Sequence, residues 1–121
     1  MNSIELKKRT KDFALSIIRL LESLPPVKTS DVIGRQLLRS ATSVGANYRA
    51  ACRARSKAEF LSKISIVEEE ADESLYWLEL LQESHLLSDS VLQPFLKEAD
   101  ELTAIFTAAS ITAKKNRNAA K

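Results

Sequence analysis

Apolar residues recur every three or four positions through four long stretches of this chain, and only three short breaks interrupt them. That is the period at which side chains return to one face of an α-helix, so each stretch reads as an amphipathic helix. The first runs from about Ser3 to Leu24 and aligns Leu6, Phe13, Ile17, Leu20 and Leu24. Pro25 and Pro26 end it, because proline lacks an amide donor and pushes the preceding residue out of the helical region. Thr29 or Ser30 is the expected N-cap of the second helix, with Asp31 set to meet its positive end. This helix continues to about Arg53 with Gly34 and Gly45 inside it. A mid-helix glycine costs up to about 1 kcal/mol relative to alanine, so Gly45 marks the expected site of a tight helix crossing.

Ser56-Lys57-Ala58-Glu59 has the capping-box pattern and opens a third helix, which runs to about Ser84 with Phe60, Ile64, Val67, Ala71, Leu75 and Leu78 inward. Ser88-Asp89-Ser90 is the next turn and cap, after which Val91, Leu92, Phe95, Ala99, Leu102, Phe106 and Ala109 line a fourth helix. Residues 1–113 make one domain, and residues 114–121 are a short basic tail expected to fray. Helices of about 20 to 28 residues on links of about two to six force antiparallel neighbours. The expected fold is therefore all-α, an antiparallel up-down-up-down four-helix bundle. With 121 residues, 45% of them hydrophobic, the chain has apolar material for one core.

Charge is unevenly distributed along the chain. The net charge is only +2, but residues 1–63 carry a net +8 and residues 64–121 a net −6. The simplest reading is that the basic half packs on the acidic half, within or between chains. Within the second helix, Arg35, Arg39, Arg49 and Arg53 fall with Thr42 and Ala46 in an arc of about 80°. Ile33, Leu37, Val44, Tyr48 and Ala51 cluster on the opposite side. The apolar face is accounted for by a core, whereas the cationic face calls for a partner, either acidic protein or a polyanion.

On the third helix, Ile66, Trp77 and Leu80 lie away from the expected core face, beside Glu70 and Glu73. Bulky apolar side chains outside the bundle seam form an exposed patch unless something covers them. The plain alternative is a wide helix face that buries Trp77 at its edge. The preferred reading is a subunit interface in which Trp77 is an anchor and Glu70 and Glu73 meet arginines of a neighbour. Asn47, at the edge of the second helix's core face near Ser40 and Ser43, is expected to fix register through interhelical hydrogen bonds. Arg39 is expected in an ion pair with Glu70, Asp72 or Glu73.

The segment Gln36-Leu37-Leu38-Arg39-Ser40-Ala41-Thr42-Ser43-Val44-Gly45-Ala46-Asn47 resembles the signature of the four-helix-bundle family that includes the 23S rRNA intervening-sequence proteins. Ser56 to Phe60 and Glu69 to Leu81 look like further motifs of that family, and the resemblance spans about residues 20 to 110. It implies a bacterial protein, an antiparallel bundle and a ring-shaped homopentamer. The family is distantly similar to accessory proteins of diversity-generating retroelements, which are pentamers that bind nucleic acid and a reverse transcriptase. Where familiar members read Ile-Ala-Glu-Gly after the asparagine, this chain has Tyr48-Arg49-Ala50-Ala51. The departure replaces an acid with Arg49 and removes a helix-ending glycine, which lengthens the second helix.

The chemistry on offer is narrow. Cys52 is the only cysteine, so neither an intrachain disulfide nor a thiolate metal site can form, and a reducing compartment fits. His85, the only histidine, sits at the end of the third helix. Without a Glu-x-x-His pair or further ligands it builds neither a di-iron nor a zinc site, and no Arg-x-x-x-x-His ribonuclease pattern surrounds it. The acids Glu68, Glu69, Glu70, Asp72 and Glu73 point in several directions around a helix and read as a solvated or arginine-paired surface. No glycine-rich phosphate loop is present. No apolar run approaches a membrane span and no leader pattern opens the chain, so a cytoplasmic protein without catalytic residues, cofactor or metal is expected. The first functional reading is a non-enzymatic oligomeric scaffold or adaptor. The alternative is sequence-nonspecific binding of an RNA or DNA backbone by Arg35, Arg39, Arg49, Arg53, Arg55 and Lys57, with Lys114, Lys115 and Arg117 reaching phosphates.

Overall fold

The computed structural model describes residues 1–119 and holds four α-helices, α1 (Ser3–Leu21), α2 (Lys28–Cys52), α3 (Lys57–Glu83) and α4 (Asp89–Ala119). Each packs on the next in the chain, α1 on α2, α2 on α3 and α3 on α4. The links of a few residues leave antiparallel packing as the outcome, and the chain is the all-α four-helix bundle expected from its periodicity.

The core forms where the apolar stripes converge: Phe13 and Ile17, Leu37 and Val44, Ile64, Val67, Leu78 and Leu81, then Leu92, Leu102 and Phe106. The rings of Tyr48 and Phe106 lie 5.4 Å apart at a tilt of 55°. Burial, with Cys52 beside it, pushes the Tyr48 phenol up to about 12 from an ordinary 10.0. An acid whose folded-state value is raised contributes stability that is complete below the unfolded value and disappears as pH climbs through the folded one. Unfolding free energy is therefore expected to lose up to about 2–3 kcal/mol between pH ~10 and ~12 on this account. Tyr48→Phe should lack that loss in urea titrations; an identical alkaline decline in the variant would contradict the assignment.

Helix ends follow local chemistry, and besides the stop of α1 at Leu21, three residues before the expected Leu24, there are two departures from the sequence reading. Asn2 and Glu5 form a capping box at the start of α1. α2 begins at Lys28, and its N-cap is Val27, which offers no side-chain acceptor, in place of Thr29 or Ser30. The Val27 amide donates to the Pro25 carbonyl at 2.8 Å, a tight turn that lets the helix start early. Ser30 is consequently inside the first turn, buried, with its hydroxyl unpartnered. Ser56 caps α3 as expected, accepting from the Glu59 amide at 3.0 Å, while the Glu59 carboxylate accepts from the Arg55 amide at 3.3 Å. The second departure is at the other terminus. α4 continues as helix through Ala119, so Lys114, Lys115 and Arg117 stand on α4; residues 120 and 121 lie outside the described residues.

α3 ends in a Schellman arrangement, in which the Leu86 amide reaches the Leu81 carbonyl at 3.2 Å and the His85 amide reaches Gln82 at 3.0 Å. His85 takes the left-handed position at φ 61°, which costs a side-chain-bearing residue energy that glycine avoids. His85→Gly should raise stability by about 0.5–1 kcal/mol in chemical denaturation; a loss would argue that the imidazole contributes contacts beyond its backbone role.

Gly45 does mark a tight crossing. A Cβ there would sit 3.4 Å from the backbone of Thr10, and one on Gly34 would lie 3.2 Å from Leu24 Cδ1. The two glycines are about three turns apart on one side of α2, and they let α1 lie close along it. The buried face of α3 is wider than its spacing implied. Leu61, Ser74 and Leu81 join the core, while Phe60 and Leu75 are only half-buried, because α3 is packed by α2 on one flank and α4 on the other.

Candidate functional site

The cationic stripe of α2 does not act as a unit. Arg35 is exposed and pairs with Asp31 one turn earlier at 3.0 Å. Arg39 crosses to α3, where it pairs with Glu70 at 2.9 Å and with Glu73. The expected structural ion pair of Arg39 is thus present inside the chain, with Glu70 and Glu73 and without Asp72. Arg49 is exposed and takes part in no ion pair among the described residues. Arg53 sits at the C-cap of α2, and Arg55 and Lys57 follow in the turn into α3, all exposed. Lys114 and Lys115 are exposed on α4, whereas Arg117 is half-buried and its Nε has no partner.

The antiparallel fold converts charge spread along the chain into charge at an end. The starts of α1 and α3 and the finishes of α2 and α4 share one end of the bundle, drawn from residues 1–12, 45–64 and 108–119. Those segments carry 12 Lys and Arg against 3 Asp and Glu, and three more acids reach the same end, Glu98 and Glu101 against Arg9 and Glu68 beside Lys114 and Lys115, which makes 12 against 6. The rest of the described chain carries 5 against 10. A net positive end facing a net negative one produces a field that orients an approaching polyanion.

Within the cationic end, Lys7, Lys8 and Lys11 of α1 and Arg49 of α2 line a groove of about 440 Å³, together with Ala14, Thr42, Gly45 and Ala46. The close contact at Gly45 brings the two walls together. Lys8 pairs with Asp12 at 2.7 Å on the open surface, a pair that water and salt loosen. Lys7 and Lys11, like Arg49, are in no ion pair among the described residues. The groove offers amines, a guanidinium and a hydroxyl but no carboxylate, so its chemistry is charge recognition. The sequence reading extended the α2 stripe to the following turn and the C-terminal cations but not to α1, so it missed the three lysines; counting charge by end after folding the helices up and down would have found them.

Arg9 is also basic but is fully engaged. It donates to Glu98 at 2.8 and 2.6 Å and to Glu101 at 3.0 Å, bridging α1 to α4. Glu98, then Glu101, hold its guanidinium above the usual arginine value against the opposing effect of burial.

The residues expected at a subunit interface are half-buried within the protomer: Ile66, Glu70, Glu73, Trp77 and Leu80. The Trp77 indole N–H donates to Glu73 at 3.0 Å, and its ring meets Tyr76 at 5.1 Å. No bare apolar patch exists at these three side chains, because the broad face of α3 takes in Ile66, Trp77 and Leu80 at its edges. Asn47 also differs from expectation. Its amide donates to the Ser43 carbonyl at 3.0 Å and hydroxyl at 2.8 Å, one turn away on the same helix. Besides the Arg39 ion pairs, a buried polar link between α2 and α3 is made by the Ser74 hydroxyl donating to Ser40 at 2.9 Å. Among the described residues, no cluster of His, Cys, Asp and Glu could hold a metal, and no helix is long and apolar enough to cross a membrane.

A family model described as 23S rRNA-intervening sequence protein matches residues 2–108. The chain belongs to the 23S rRNA-intervening sequence protein family. A solved relative from Bacteroides thetaiotaomicron VPI-5482, described as a protein of unknown function from the S23 ribosomal protein family, is 32% identical. The match covers 91% of this chain and 98% of that one, with a TM-score of 0.83. No curated protein is significantly similar to the chain. The solved relative thus shares this chain's fold, and its function is described as unknown.

Proposed function

We propose that this protein is a non-enzymatic binding module that holds the backbone of nucleic acid against the cationic end of its bundle. The observation that carries the reading is the segregation of charge by end, 12 cations against 6 acids at one end and 5 against 10 over the rest, on a molecule whose net charge is only +2. Polyanion attraction depends on local charge, and the low net charge conceals it. The family name mentions 23S rRNA, and RNA is a polyanion of the required kind. Base-specific recognition is not part of the reading: Tyr48 is buried in the core, and no other aromatic lies along the groove. The test is binding of short RNA and DNA as salt is raised. Affinity should fall linearly on a log–log plot, by about 0.7 per phosphate contact for single strands and 0.9 for duplexes; undetectable binding at about 50 mM salt would end the proposal.

A second reading, a homo-oligomeric scaffold, is favoured by a separate observation. Leu15 and Ile18 on α1 are each 42% exposed and Leu38 on α2 is 37% exposed. In this reading copies of the chain, in a ring such as the pentamer the family resemblance implies, cover those side chains. Glu70 and Glu73 already hold Arg39, so they are poor candidates to meet a neighbour's arginines. Light scattering on a size-exclusion column separates the cases: a monomer at micromolar concentration removes the scaffold and leaves the binding module untouched.

A further inference from the structure

We infer that the groove between α1 and α2 is the track for the phosphate backbone, and that it takes duplex nucleic acid in preference to a single strand. The inference rests on the binding-module reading and narrows it to one place and one form of ligand. Three cations on the two walls, Lys7, Lys11 and Arg49, lack carboxylate partners among the described residues, while Arg9 and Arg39 are held by carboxylates of facing helices and Arg35 has only an exposed pair with Asp31. No acid lines the groove, so nothing inside it repels a phosphate.

Its small residues matter as much as its charges. Ala14, Thr42, Gly45 and Ala46 leave the surface between the cations low, so a sugar-phosphate chain can descend to the level of the ammonium groups. Lys7 and Lys11 are one helical turn apart, about 6 Å along α1, so they meet successive points along a backbone rather than a single ion. Phosphates are paired with cations directly, as in the positioning contacts of nucleic-acid complexes, and carry no sequence information.

The preference for duplex follows from what the groove lacks. Single-strand binders gain about 1–3 kcal/mol per base by stacking on aromatic side chains. None lines this groove: Tyr48 and Phe106 face the core, and Tyr76 and Trp77 stand on α3. Charge density is then the main source of affinity, and a duplex presents one phosphate charge per about 1.7 Å of axis, twice that of one strand.

The test compares the full-length chain with Lys7→Gln/Lys11→Gln/Arg49→Gln, using fluorescence anisotropy on 20-base-pair RNA and DNA duplexes and on the corresponding single strands. These side chains are exposed and unpaired, so helical content by circular dichroism should match the parent. The parent should bind duplex at least about tenfold more tightly than single strand, a difference of about 1.4 kcal/mol. The triple variant should lose about 2.7 from the salt slope, 0.9 for each of three contacts. Lys7→Arg/Lys11→Arg, which keeps the charges, should retain the parent slope. A parent that binds with an unchanged slope in the triple variant overturns the groove while leaving the cationic end as the site. Equal or tighter binding of single strands overturns the duplex preference. No binding by the parent overturns the binding-module reading and this inference with it.

Discussion

Arg53→Glu/Arg55→Glu/Lys57→Glu should weaken duplex binding at least about a hundredfold at 50 mM salt and flatten the salt dependence by about 3. The reasoning is local. Arg53 and Arg55 lie in the turn from α2 to α3 and Lys57 opens α3; all three are exposed, with no ion pair among the described residues. They belong to the end that holds 12 of the chain's cations, apart from the groove walls. Reversal removes three attractions and adds three repulsions at that end, whereas neutralisation would only remove attractions. The fold should be indifferent, since Ser56, which caps α3, and Glu59 are retained. Equal affinity in the variant would show that this turn lies off the binding surface. A parallel reversal of Arg35, at the other end and already paired with Asp31, should change affinity by less than about threefold.

The second large effect is on stability. Phe106→Ala should destabilise the chain by about 3–5 kcal/mol, because the ring is fully buried at the meeting of α4 and α2 and its loss leaves a cavity. For a chain of this length that corresponds to a fall in Tm of roughly 12–25 °C. Differential scanning calorimetry reads the shift, and Phe106→Leu, which refills most of the volume, should recover more than half of it. A fall of only a few degrees would mean that the Tyr48 and Phe106 rings do not form the packed centre described here. Nucleic-acid affinity of the refolded Phe106→Leu variant should be that of the parent, because the core and the charged end are separate parts of the molecule.

Much of the fold was legible before any coordinates. Four apolar periodicities gave four helices, Ser56 opened the third, and Gly45 marked the close crossing with α1, whereas the first helix stops at Leu21, ahead of Pro25 and Pro26. What escaped had physical causes. The start of α2 carries no capping side chain, so a search for Ser, Thr, Asp or Asn landed two residues late. The broad buried face of α3 could not be read from α3 alone, since its width is set by two neighbouring helices. Arg39 was legible as an ion pair because α2 and α3 are antiparallel neighbours, and Glu70 and Glu73 sit one turn apart on the facing helix. Asn47 was misjudged because a short amide at the edge of a helix finds its own chain one turn away before it finds another helix.

The candidate site was half legible. The stripe of α2 was visible as a periodicity, yet two of its arginines have carboxylate partners in the chain, and the cations that remain are completed by lysines from α1. No periodicity within one helix reveals that grouping. It appears when residues far apart in sequence are assigned to one end of an antiparallel bundle, which turns a modest net charge into a strong local one.

The central claim is that one end of this bundle meets the polyanion, and backbone-amide chemical shifts recorded while a 20-base-pair duplex is titrated into the labelled full-length chain test it most directly. The account predicts perturbations concentrated in residues 1–12, 45–64 and 108–119, strongest beside Lys7, Lys11 and Arg49, with residues 65–107 quiet. Perturbations centred on the acidic stretch of α3 and α4, or a spectrum that does not change at low salt, would contradict it.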